Sequence, residues 1–142
     1  MALFVNGLLW LHLMALAIGI GGGIAMSQIG PRLVAAPPGG RDTWWPLAMF
    51  FSRIASAGLV LLLITGPLLL WLKFGGIDAM NGWFKVKMLF IAVMVTTIGL
   101  SHWGLGRLKR GDEGGARVMM VAGPLNMLAA MAVVLAAVFS FN

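Results

Sequence analysis

Charged residues divide this chain into long uncharged stretches. Residues 2–31 carry no charge, 54–72 lie between Arg53 and Lys73, 88–106 lie between Lys87 and Arg107, and nothing after Arg117 is charged. Each reaches or nearly reaches the ~20 apolar residues that a helix needs to cross the hydrocarbon of a bilayer. The pattern predicts four spans, at about 3–27, 48–72, 83–105 and 118–140. They must be helical, because lipid offers the backbone no hydrogen-bond partner and four spans are too few to close a barrel. The first is too long for a secretory signal peptide and lacks a basic leading segment.

Helix breakers fall between the spans. Gly30, Pro31 and the run Pro37-Pro38-Gly39-Gly40, followed by Trp44-Trp45 at the interface, predict a first loop. Phe74-Gly75-Gly76 to Gly82, flanked by Trp71 and Trp83, predicts a second, and Gly104 to Gly115 a third. No repeat or long polar segment interrupts the series. The expected fold is therefore all-α, one integral membrane bundle of four transmembrane helices over residues 1–142.

Composition agrees with this and narrows the chemistry. Of the 142 residues 61% are hydrophobic and 10% charged, with a mean hydropathy of +0.98, which places the chain outside the balance of a soluble domain. There is no cysteine, so disulfides, thiolate metal sites, iron–sulfur clusters and cysteine nucleophiles are excluded. The net charge of +6 sits in short loops between apolar runs, where anionic headgroups meet it, so the expected partner is the lipid bilayer and not nucleic acid. Seven basic residues (Arg32, Arg41, Arg53, Arg107, Lys109, Arg110 and Arg117) border the first and third loops, against Lys73, Lys85 and Lys87 on the other side. By the positive-inside rule both termini face away from the cytoplasm of a bacterial inner membrane.

Few polar side chains lie inside the spans. His12 is some nine residues into the first helix, Lys87 four into the third, His102 near the inner end of the third, and Arg53 near the inner end of the second. At ~1.5 Å per residue, His12 lies ~14 Å and Lys87 ~6 Å below the outer face, while His102 lies ~22 Å further along than Lys87. On this reckoning His12 and His102 do not share one iron. Lys87 is the better partner for His12, unless its long stem carries it outward as an interfacial anchor. For His12 the expected role is ligation or proton handling, since an unpartnered imidazole in lipid is costly. Arg53 reads either as a headgroup anchor or as a seat for a carboxylate or phosphate. Gly19 and Gly23 fall within about 20° of the His12 face, a trough in which a flat macrocycle could lie; the same Gly-x-x-x-Gly spacing also serves close helix contact.

The segment Trp83-Phe84-Lys85-Val86-Lys87-Met88, followed by Ser101-His102-x-x-x-Gly106-Arg107-Leu108, resembles the HemJ-type protoporphyrinogen oxidases and, more loosely, the related CopD-like membrane proteins. Leu11-His12, Pro31-Arg32-Leu33, Arg53 and Gly66 fit the same pattern. The resemblance implies a b-type haem served by His12 and Lys87, oxidation of a porphyrinogen to a porphyrin, and passage of electrons to a quinone or respiratory partner. His12 lies 19 residues before Pro31, about one helical turn more than the family pattern. The fourth span offers Pro124 and Asn126 but no carboxylate, and no tyrosine precedes His102. Porphyrinogen oxidation needs a proton acceptor, so two other readings stand beside it. One is a haem b electron-transfer or sensing protein. The other is a copper-handling protein, to which the 11 methionines would be relevant as soft ligands, although Met14, Met26, Met94, Met119, Met120, Met127 and Met131 are spread as packing residues would be. A homo-oligomer and a structural subunit of a larger complex are compatible with so compact a chain.

Overall fold

A computed structural model describes residues 2–77 and 81–140. It is all-α there, with α1 over Ala2–Ala35, α2 over Arg41–Lys73, α3 over Gly82–Lys109 and α4 over Gly114–Ser140. All four are long and apolar enough to cross a membrane. Large apolar side chains such as Trp10, Val60, Leu89, Val121 and Leu128 cover the outside, as expected where the surrounding medium is itself apolar.

The helices overrun the expected spans most at the first loop. Gly30 and Pro31 lie inside α1, and Trp44, Trp45 and Pro46 lie inside α2. A proline within a helix forfeits a backbone hydrogen bond and can bend the helix without ending it, particularly among packed neighbours. The turn is left to Ala36, Pro37 and one 3₁₀ turn at Pro38–Gly40. With 34 residues, α1 is ~50 Å long against ~30 Å of hydrocarbon. Against the expected span of 3–27 the excess lies at the end that carries the first and third loops, here called the basic end. At the other end α2 stops at Gly75 and Gly76, with φ of +82° and +88°, a conformation suited to glycine. There Asn81 caps the start of α3, its side chain accepting from the Phe84 N–H at 2.9 Å.

Two antiparallel hairpins, α1–α2 and α3–α4, make most of the contacts; α1 rests on α4, whereas α2 and α3 barely touch. Lipid removes the hydrophobic drive between helices, so close backbone approach must hold each hairpin. Ala15, Gly19 and Gly22 on α1 meet Ala55 and Gly58 on α2. A Cβ on Gly58 would stand 2.8 Å from the Gly19 nitrogen, and one on Gly22 would stand 3.0 Å from the Ala55 nitrogen. Gly104 of α3 approaches Gly115 of α4 in the same manner. At the basic end Ile29, Leu33, Ala48, Leu105, Leu108, Ala116 and Met119 form a core from all four helices.

Ion pairs tie the basic end together. Arg41 donates to both oxygens of Glu113, at 2.9 and 3.2 Å, joining the start of α2 to the α3–α4 turn. Arg107 holds Asp112 at 2.6 Å, and Asp112 also accepts from the Gly114 N–H at 2.9 Å. Hydrogen bonding from Arg41 keeps the Glu113 carboxyl below its ordinary range, and Arg107 does the same for Asp112. A carboxyl depressed in the folded state stabilises it above the unfolded pKa of about 4.3, and that contribution fades as pH falls through the depressed folded value. Glu113→Gln should therefore lower the Tm slightly at pH 7, and the difference from wild type should vanish under strong acid. A gap of equal size in acid would show that the pair contributes nothing through its charge.

Candidate functional site

His12 stands one turn before Ala15 on the seam where α1 meets α2. Its Nδ1 lies 2.6 Å from Thr65 Oγ1, and the Thr65 hydroxyl is itself donated to the Leu61 carbonyl at 2.7 Å. With that proton committed, Thr65 can only accept, so Nδ1 carries the imidazole proton and Nε2 presents a lone pair. The ring is steered further by Gly66, where a Cβ would stand 3.6 Å from His12 Cε1. An imidazole whose second nitrogen is oriented by a protein acceptor is the form in which histidine binds a metal.

Lys87 lies near the start of α3. It is half-buried while Lys85 is exposed, as two residues ~160° apart around a helix should be. Its Nζ sits 5.9 Å from the centre of the Phe84 ring.

His102 belongs to a separate place. Its Nδ1–H donates to the Ile98 carbonyl at 3.0 Å, and its Nε2 accepts from the Ser52 hydroxyl at 3.1 Å. Ser56 is 3.4 Å away, with its own hydroxyl donated to the Ser52 carbonyl. This histidine bridges α3 to α2 where those helices otherwise part. Thr65 and Ser52 mark the two levels on α2 and are ~20 Å apart along it, so the two imidazoles cannot ligate one metal.

The other expected residues divide. The side of Gly19 that could hold a macrocycle is covered by α2, since a Cβ there would stand 3.9 Å from Gly58; close helix contact is its use. Gly23 faces α4, 3.6 Å from Asn126 Nδ2 by the same measure. Arg53 is exposed, with no ion pair or ring contact among the described residues, as an anchor would be.

Two cavities open inside the bundle. The larger, about 310 Å³, has Ser27, Ser52, Ser101, His102 and Asn126 in its wall together with Met26, Met119 and Met120, so the fold brings Met26 of α1 to the Met119-Met120 pair of α4. The smaller, about 190 Å³, includes Gly19, Gly23, Met94 and Asn126. Neither includes His12 or Lys87. Thr65 and Ser52 do not stand out in the sequence, because hydroxyls bond their own helix as readily as a neighbour.

Among the described residues no three histidine, cysteine or carboxylate groups gather as a metal site. A porphyrin brings four nitrogens of its own and asks the protein for one or two. The donor set at His12 and Lys87, one imidazole lone pair and one amine, fits that requirement. No model of a known protein family matches the chain, and comparisons with curated proteins and with solved structures likewise find no match.

Proposed function

We propose that this chain is an integral membrane b-type haem-binding redox protein of HemJ-like character, oxidising a porphyrinogen to a porphyrin and passing electrons to a quinone or respiratory partner. The observation that carries this reading is the Thr65-fixed tautomer of His12, which leaves Nε2 as a lone-pair donor within the membrane. In this reading the haem, when bound, supplies one-electron chemistry that no side chain of this chain provides. His12 would hold the group through Nε2 with Thr65 fixing the direction of the ring, and Lys87 on α3 would offer an amine to it when neutral. Gly66 keeps the Cε1 edge of the imidazole clear. The resemblance in the α3 segment supports the same assignment.

One observation favours a narrower reading, haem b electron transfer or sensing without porphyrinogen turnover. The four acidic residues Asp42, Asp78, Asp112 and Glu113 all lie beyond the expected spans, and among the described residues no carboxylate is paired with His12 to accept a substrate proton. The two readings separate in one assay. Purified haem-loaded protein given protoporphyrinogen IX and a soluble quinone should generate porphyrin fluorescence above the rate of air oxidation. Haem without that gain would establish the narrower reading.

For orientation we propose both termini on the non-cytoplasmic side of a bacterial inner membrane, from the basic residues at the other end. A reporter fused after Asn142 should then read as non-cytoplasmic and one inserted at Gly111 as cytoplasmic. The opposite pattern would reverse the assignment.

A further inference from the structure

We infer that Ser52 and His102 form a nucleophile and base that hydrolyse long-chain acyl esters at the basic end of the bundle. Three other serines commit their hydroxyl protons to their own helices. Ser27 donates to the Ile24 carbonyl at 2.7 Å, Ser56 to that of Ser52 at 2.8 Å and Ser101 to that of Thr97 at 2.9 Å. Ser52 differs, since its Oγ lies 3.1 Å from His102 Nε2. On the far side of the ring Nδ1 lies 3.0 Å from the Ile98 carbonyl, which can only accept, so Nδ1 carries the proton of the neutral imidazole. Nε2 then holds a lone pair, and the Ser52 hydroxyl donates to it. A hydroxyl within hydrogen-bond reach of a base that a third group orients is the arrangement of an activated nucleophile.

Depth and lining select the substrate. Ser52 stands four residues inside the expected start of the second span, and His102 three before the expected end of the third. They are thus ~6 and ~5 Å below the hydrocarbon boundary. The ester groups of membrane lipids lie at that boundary, and water reaches it from the headgroup region. Both residues line the 310 Å³ cavity, whose wall carries no carboxylate, lysine or arginine and includes Met26, Ile98, Met119 and Pro124. A charged substrate would find no counter-charge there, whereas a neutral ester on an apolar chain fits. The rest of that chain would lie in the lipid, toward which His102 is exposed.

The reaction balances with water as the only co-reactant. Ser52 Oγ attacks the ester carbonyl carbon as its proton passes to His102 Nε2. Collapse of the tetrahedral intermediate breaks the bond to the alcohol, which leaves with that proton, and the acyl group stays on Ser52. Water, giving a proton to Nε2, then attacks the acyl carbon; the fatty acid departs and the proton returns to Ser52 Oγ. In both halves the Ile98 carbonyl accepts from Nδ1–H and so steadies the imidazolium as it forms. None of His12, Thr65 or Lys87 takes part, so the proposal stands apart from the haem reading.

The test is labelling of the full-length protein in nanodiscs with a long-chain alkyl fluorophosphonate, located by peptide mass spectrometry, alongside turnover of 4-nitrophenyl decanoate. Label should appear on Ser52, and nitrophenolate release should continue past one per chain. Ser52→Ala, which removes a single oxygen, should abolish both. His102→Ala should slow both about 100-fold or more, since a positioned base contributes 10²–10⁴, and added imidazole should restore part of that rate. Ser101→Ala is the control, a serine of the same cavity with its hydroxyl committed to Thr97, and it should behave as wild type. Label absent from Ser52, or release that stops at one nitrophenolate per chain, would overturn the proposal. So would labelling undiminished in His102→Ala, a His102→Ala loss that imidazole does not relieve, or a Ser101→Ala loss equal to that of Ser52→Ala.

Discussion

Gly58→Leu should unfold the α1–α2 hairpin. A Cβ at Gly58 would stand 2.8 Å from the Gly19 nitrogen and 2.9 Å from the Ala15 oxygen, both backbone atoms that cannot rotate away. Replacing a helical glycine gains about 1 kcal/mol of helix propensity. Overpacking costs typically 1–3 kcal/mol when side chains can adjust, and here the backbones themselves must separate, so the clash wins. The seam would open along Ala15, Gly19 and Gly22, and the His12–Thr65 contact on the same seam would go with it. Thermal unfolding in detergent should show a Tm lowered by many degrees, or no cooperative transition. Gly99→Leu is the control, since a Cβ there meets nothing within 4 Å, and it should leave the Tm near that of wild type. Equal melting of both variants would show that the hairpin is not held by close approach.

His12→Ala should abolish haem absorbance while the protein remains folded. Thr65 keeps its own bond to Leu61, and one interhelical hydrogen bond in a membrane contributes about 0.6 kcal/mol, so the structural loss is small. The ligand loss is complete. Added imidazole should restore part of the Soret band, an outcome that a merely structural histidine would not give. Lys87→Ala should shift the spectrum or lower haem retention, whereas Lys85→Ala, on the exposed face of α3, should be silent. His102→Ala should leave the band in place, because its nitrogens are occupied by Ile98 and Ser52. Loss of haem in His102→Ala with retention in His12→Ala would move the site to the other end of the bundle.

The four helices were legible because charge is intolerable within hydrocarbon, and uncharged stretches of the required length are rare by chance. The extent of the first turn was not. Pro31 and Pro46 look like stops, yet a helix loses only local bonds to a proline, and the chain turns at Pro37–Gly40 instead. His12, Lys87 and His102 stood out as polar groups in apolar runs, and their levels along the helices followed from counting residues. Their partners could not be read that way. The pairing of His12 with Thr65 spans 53 residues and depends on the register of α1 against α2, which the small residues Ala15, Gly19, Gly22, Ala55 and Gly58 set through contacts no periodicity reveals. The same register explains Gly19, whose open face is used by the α2 backbone. It also explains the cavity, where Met26, Met119 and Met120 converge only after the two hairpins dock.

The central claim, that His12 is placed to hold a haem, is tested most directly by the reduced-minus-oxidised absorption spectrum of the wild-type protein purified from a haem-replete host. The account predicts a Soret band with a reduced α-band in the b-haem region, at a stoichiometry approaching one haem per chain. A colourless, well-folded preparation that does not take up added haem would contradict it.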